Sequence, residues 1–86
     1  PDYVIAKKKI TLKPGFDFDR AMDQVREQFK TYQIDERDGM RIEYPDGWLQ
    51  IRKSNTEPII RIYAESTSFE KAENMAEQVI RIIKNL

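Results

Sequence analysis

The sequence predicts an α+β domain of order β-α-β-β-β-α, a four-stranded, largely antiparallel sheet with both helices packed on one face. Two observations lead there. Apolar residues alternate with polar ones in four short segments, and in two longer segments they recur at steps of three and four. Each strand then has one apolar face and each helix one apolar stripe, and placing both helices on the same side of the sheet buries all of it most simply. The other side is left to solvent or to a partner.

Tyr3 to Leu12 is the first strand: Val4, Ala6, Ile10 and Leu12 share a face on which Lys8 is the one discordant residue, and Pro14 and Gly15 end it. Phe18, Met22, Val25, Phe29 and Tyr32 then mark an amphipathic helix stopping near Tyr32, with Asp17 or Asp19 as its N-cap. Asp38-Gly39 is a turn into a short strand in which Met40, Ile42 and Tyr44 alternate with Arg41 and Glu43. Pro45-Asp46-Gly47 reverses the chain into Trp48 to Arg52, where Leu49 and Ile51 face opposite to Trp48, Gln50 and Arg52. Pro58 lacks an N–H for a ladder, so Lys53 to Glu57 is a loop and the next strand is Ile59 to Glu65, with Ile60, Ile62 and Ala64 on one face. Thr67 and Glu70 fit a capping box for a closing helix whose stripe is Phe69, Ala72, Met75, Ala76, Val79, Ile80 and Ile83.

Length and composition narrow the functions available. Eighty-six residues make one domain, residues 1–86, and chains of this size bury only roughly 60% of their unfolded surface. Fifteen basic and fifteen acidic residues balance to zero, which argues against clamping nucleic acid or an anionic membrane by bulk charge. No run approaches the length of a membrane span, so a soluble, cytoplasmic protein is expected. Without Cys or His the chain has no thiolate nucleophile, no disulfide, and neither the usual general base nor the commonest metal ligand. No catalytic residue and no metal ligand set is assigned. The start at Pro1 reads as a piece cut from a longer chain, in preference to the scar of a removed expression tag.

One segment stands apart: Arg52-Lys53-Ser54-Asn55-Thr56-Glu57-Pro58-Ile59-Ile60-Arg61. Two guanidinium groups bracket a row of two hydroxyls and a carboxamide. A phosphate monoester carries nearly two negative charges and three acceptor oxygens, and is best held by donors converging from several directions, with Arg favoured for its planar fork. Consecutive loop amides add an expected anion-binding concavity. On composition alone the segment stays open between an anion site and an ordinary turn, since Ser, Asn and Thr are common turn residues.

The run R-K-S-N-T-E-P-I-I-R-I-Y-A-E resembles the phosphate-binding loop of the α-D-phosphohexomutase superfamily, as found in the C-terminal, fourth domain of the phosphomannomutase/phosphoglucomutase type. Asp38-Gly39-Met40-Arg41-Ile42 and Asp46-Gly47-Trp48 are similar to that domain's lead-in hairpin, and Thr67 to Leu86 to its closing helix. The resemblance implies a TATA-box-binding-protein-like fold and a parent mutase that moves a phosphoryl group between C1 and C6 of a hexose through a bisphosphorylated intermediate. It implies that Arg52 and Arg61 are charge partners of the phosphate that is not transferred, and that Ser54, Asn55 and Thr56 donate hydrogen bonds to it. It further implies that the phosphoserine, the carboxylates holding Mg²⁺ and a sugar-binding loop lie in preceding domains, so that this domain binds no cofactor and is not catalytic alone. The expected partners are glucose or mannose phosphates, their bisphosphate intermediate and those preceding domains; Asn55, where relatives acting on glucosamine phosphate tend to have glycine, points the same way.

Other conspicuous residues have blander readings. Lys53 departs from the small residue or proline of the resemblance and is expected to face solvent. Trp48 is read as a packing or domain-interface anchor in preference to a sugar platform, Lys7-Lys8-Lys9 as a solvated strand, and Glu57 as a residue orienting the loop. Tyr63, on the Arg61 face, is either near the ligand or an exposed cross-strand aromatic. The rival functional reading is a free-standing αβ module binding protein or RNA through its open sheet face, although RNA readers of this architecture need aromatic platforms and a basic surface.

Overall fold

The computed structural model describes residues 2–86, so the reading placed on Pro1 lies outside the described residues. The elements are β1 (Val4–Thr11), α1 (Phe18–Gln28), β2 (Gln33–Asp35), β3 (Met40–Tyr44), β4 (Gly47–Lys53), β5 (Ile59–Ser66) and α2 (Phe69–Lys84). The strands form one sheet in the order β1-β5-β4-β3-β2, each neighbouring pair antiparallel. The α+β class and the two helices stand as expected, and the sheet has one strand more. That strand, β2, pairs Gln33, Ile34 and Asp35 with Glu43, Ile42 and Arg41. With one apolar residue in three it has no alternation of its own to read, and it is a strand because β3 offers it a free edge.

The helix boundaries moved for local reasons. α1 closes at Phe29, whose N–H still donates to the Val25 carbonyl at 3.0 Å, and Tyr32 N–H then bonds to the Phe29 carbonyl at 2.9 Å in a turn leading into β2. Tyr32 keeps its place beside Phe29 through that turn, edge-on with ring centroids 5.0 Å apart. Asp17 is the N-cap, accepting from Arg20 N–H at 3.0 Å. In α2 the cap is Ser68 and not the Thr67/Glu70 box: Ser68 has extended backbone and its Oγ accepts from Lys71 N–H at 3.2 Å. Thr67 instead accepts from Lys71 Nζ at 3.3 Å. Phe69, expected on the apolar stripe, is 56% exposed at the first turn, and the buried stripe begins at Ala72.

The core is the helix-facing side of the sheet. Ala6, Ile10, Met40, Ile42, Leu49, Ile51, Ile60, Ile62 and Ala64 are buried against Ala21, Met22, Val25 and Phe29 of the first helical segment and the α2 stripe. Burying each of the larger side chains among these, such as Ile42, Leu49 or Ile62, contributes about 1.5–3 kcal/mol. The discord at Lys8 resolves there too. Its stem lies on the helix side and Nζ reaches Glu73 at 2.6 Å on α2, which raises the Lys8 pKa. Gly47, opening β4, is required by close approach, since a Cβ there would sit 1.9 Å from the Glu65 carbonyl oxygen of β5. Among the described residues no helix is long and apolar enough to cross a membrane.

Candidate functional site

Strand alternation and register build the site before any loop residue is considered. Arg52 near the end of β4 and Arg61 near the start of β5 are direct cross-strand partners, both exposed on the face away from the helices. Like charges placed directly opposite destabilise a sheet. Arg61 makes no ion pair within 4.0 Å among the described residues. Arg52 has one, Nη2 to Asp38 Oδ1 at 3.2 Å, between side chains 53% and 68% exposed. Such an exposed contact is worth little, and most of the five N–H donors of Arg52 remain open.

Asp38 stands there because of Gly39. The glycine has φ of +67°, and a Cβ on it would lie 2.3 Å from the Ile51 carbonyl oxygen and 3.2 Å from Arg52 Cγ. The turn thus packs flat against β4 beside Arg52, and Gln50 Nε2 holds it by donating to the Asp38 carbonyl at 2.9 Å.

Between the arginines the loop folds around Ser54. Its N–H donates to the Ile59 carbonyl at 3.1 Å, while Ser54 Oγ accepts from the N–H groups of Thr56 at 3.3 Å and Glu57 at 3.2 Å. The Thr56 hydroxyl lies 3.5 Å from Ser54 Oγ. Ile59 N–H donates to Glu57 O at 2.8 Å, and Pro58 O accepts from Leu12 N–H at 2.7 Å, which ties the loop to β1. One correction to the expected donor set follows. The amides of Thr56 and Glu57 point at Ser54 Oγ and are not an open concavity; positive φ is confined to Gly15 and Gly39 among the described residues. Ser54, with its oxygen engaged by two amides, has its hydroxyl proton left to give. Asn55 and Thr56 are exposed at the loop's tip.

The neighbours sort by face. Lys53 lies on the helix side, exposed, with Nζ 5.2 Å from the centroid of the Phe18 ring, turned away from the two arginines. Glu57 is exposed. Trp48 is part of a packed group: its Nε1–H donates to Glu65 Oε2 at 2.7 Å and the Arg41 guanidinium stands 4.6 Å over its ring. Tyr63 is half-buried on the Arg61 face, opposite Gln50 and Lys7. The lysine run does not behave as one solvated strand. Lys8 turns to α2, whereas Lys7 and Lys9 share the open face, and Lys9 is the direct partner of Arg61. Alternation in the sequence already set Lys7 and Lys9 apart from Ala6 and Ile10; the register that brings Lys9 to Arg61 is written nowhere locally.

Chemically, the arrangement is a cationic, hydroxyl-bearing cradle suited to an oxyanion. It offers no group with an adjacent base to activate it. Among the described residues no group of three or more carboxylates stands close enough to hold a metal, so Mg²⁺ has no fitting ligand set here and no step is assigned to it.

Comparison with known proteins places the fold in a family. Residues 7–82 match the family model described as phosphoglucomutase/phosphomannomutase, C-terminal domain. A phosphoglucosamine/phosphogalactosamine mutase of Sulfurisphaera tokodaii is 35% identical over 86 residues, covering 98% of this chain and 19% of that protein. A phosphoglucomutase/phosphomannomutase of Thermococcus kodakarensis is 47% identical over 55 residues, 64% of this chain and 12% of its own length. A crystal structure of a phosphoglucomutase/phosphomannomutase family protein from Burkholderia thailandensis superposes with a TM-score of 0.67 at 27% identity, over 99% of this chain and 18% of that one. The chain thus spans a fifth or less of the relatives it matches. With ten or so residues outside the match and a solved relative sharing the whole fold, this chain belongs to the phosphoglucomutase/phosphomannomutase C-terminal domain family.

Proposed function

We propose that this chain is the substrate phosphate-binding domain of a longer phosphomannomutase/phosphoglucomutase, gripping the non-transferred phosphate of a hexose phosphate during intramolecular phosphoryl transfer between C1 and C6. The observation that carries the reading is the opposition of Arg52 and Arg61 across neighbouring strands, joined by a loop folded on Ser54. Two cations held face to face are unfavourable until a dianion sits between them, and Ser54, Asn55 and Thr56 supply donors at its edge. In this reading the phosphoserine, the Mg²⁺ ligands and the sugar loop come from preceding domains of the parent, in a soluble, cytoplasmic enzyme. The domain breaks no bond. Its grip on a remote phosphate orients the reacting oxygen, which is how binding energy from a non-reacting group lowers a barrier. Relatives named for amino sugars and for glucose or mannose alike fit a cradle that addresses the phosphate and not the ring.

The rival use of the open face for RNA finds less support, because Trp48 is already covered by Arg41 and tied to Glu65. An NMR titration separates the two. Hexose 6-phosphate should shift amides from Arg52 to Arg61, inorganic phosphate should compete for the same amides and weaken that binding, and a short RNA should shift nothing comparable. Shifts centred on Trp48 and produced by RNA alone would overturn the proposal. Arg52→Ala should weaken the hexose phosphate by about 2 kcal/mol, roughly 30-fold, as expected for a charge-assisted contact.

A further inference from the structure

The two arginines do not stand alone on the open face. Register places Lys9 of β1 directly opposite Arg61, and Arg61 directly opposite Arg52, so three cations from three adjacent strands form one row across the sheet. All three side chains are exposed. Strands in a sheet are about 4.8 Å apart, so the row is about 10 Å wide, with Arg61 at its centre. Lys9, like Arg61, makes no ion pair within 4.0 Å among the described residues, although its neighbour Lys8 reaches Glu73 at 2.6 Å. The same strand is fastened to the loop three residues further on, where Leu12 N–H donates to Pro58 O at 2.7 Å.

We infer that Lys9 is a further phosphate-binding residue of this site, completing a three-sided cationic cradle with Arg52 and Arg61; the inference rests on the phosphate-binding reading of the loop. A dianion lodged over Arg61 is flanked by Arg52 on the β4 side and Lys9 on the β1 side, with Ser54, Asn55 and Thr56 at its end. The arginines contribute directional forks. Lys9 contributes a compact charge on a flexible stem, which follows the phosphate as the rest of the sugar changes orientation beneath it. A ligand that must present first one phosphate and then the other to the same cradle needs that tolerance on one side.

The test measures the affinity of this chain for glucose 6-phosphate and for inorganic phosphate by NMR titration, in wild type, Lys9→Gln, Lys9→Arg, Lys7→Gln and Arg52→Ala. Lys7 carries the same charge on the same face one row away and controls for bulk electrostatics. Lys9→Gln should weaken both ligands about fivefold, Lys9→Arg should restore most of the loss, and Lys7→Gln should change affinity by less than about twofold. The apo Lys9→Gln chain should melt no lower than wild type, because a like-charge opposition has been removed. If Arg52→Ala weakens binding and Lys9→Gln does not, or if Lys7→Gln and Lys9→Gln weaken it equally, Lys9 has no part in the site while the loop reading stands. If wild type binds neither ligand, or Arg52→Ala binds as wild type does, the loop reading itself fails and Lys9 goes with it.

Discussion

The two ends of β4 and β5 treat their polar side chains in opposite ways. At the hairpin end, Trp48 is bonded to Glu65, Arg41 reaches Glu43 at 2.5 Å while covering Trp48, Lys71 pairs with Asp46 at 3.0 Å, and Ser66 Oγ donates to the Asp46 carbonyl at 3.0 Å. At the loop end, a few residues along the same strands, Arg52 holds one exposed partner, and Arg61 and Lys9 stand with like charges opposite. A formal net charge of zero conceals this difference. Satisfied polar groups stabilise a fold, whereas the exposed cations at the loop end are left with like charges for cross-strand neighbours.

That contrast can be broken by substitution. Gly47→Ala should have the largest effect: its Cβ would meet the β5 backbone, and the hairpin end should lose about 3 kcal/mol or more in urea unfolding. Arg61→Gln at the loop end should do the reverse, weakening hexose phosphate by more than tenfold in the titration while leaving the urea midpoint unchanged or slightly raised. A large loss of stability in Arg61→Gln would erase the distinction. Ser66→Ala, removing a fully buried donor, should cost about 1 kcal/mol of stability and no affinity. Asp38→Asn should tighten phosphate by about twofold with no change in stability, since it frees Arg52 from an exposed carboxylate.

The smallest effect is one of pH at the β2 edge. Arg37, through its guanidinium and its N–H, holds the Asp35 carboxyl down at about 2 from the ordinary 3.8. A depressed carboxylate contributes stability that is full above its unfolded pKa and is lost as pH falls through the folded one. The stability difference between wild type and Asp35→Asn should therefore be constant above about pH 5 and shrink as pH falls from 3.8 towards 2, as followed by circular dichroism.

What the sequence made legible follows from what is local. β3, β4 and β5 lay within a residue or two of their expected ends because alternation, a Pro-Asp-Gly turn and Pro58 are all short-range signals. Arg52, Ser54, Asn55, Thr56 and Arg61 are legible as a candidate group because the loop joining them is only a few residues long. β2 was not, since Gln33-Ile34-Asp35 depends on the edge it meets. Lys8 looked like an error in a strand face until α2 supplied Glu73 and Glu77. The opposition of Lys9 and Arg61 is illegible for the same reason: the two lie 52 positions apart, and only the β1–β5 register joins them.

β1 is also an outermost strand, with one row of backbone donors and acceptors facing no neighbour in the sheet. Such a rim invites a second molecule to add its own strand, and it is the usual seed of fibrils. Lys7 and Lys9, exposed in the middle of β1 on either side of the ion-paired Lys8, make that stacking electrostatically unfavourable, so the same short run can keep concentrated protein from self-assembling.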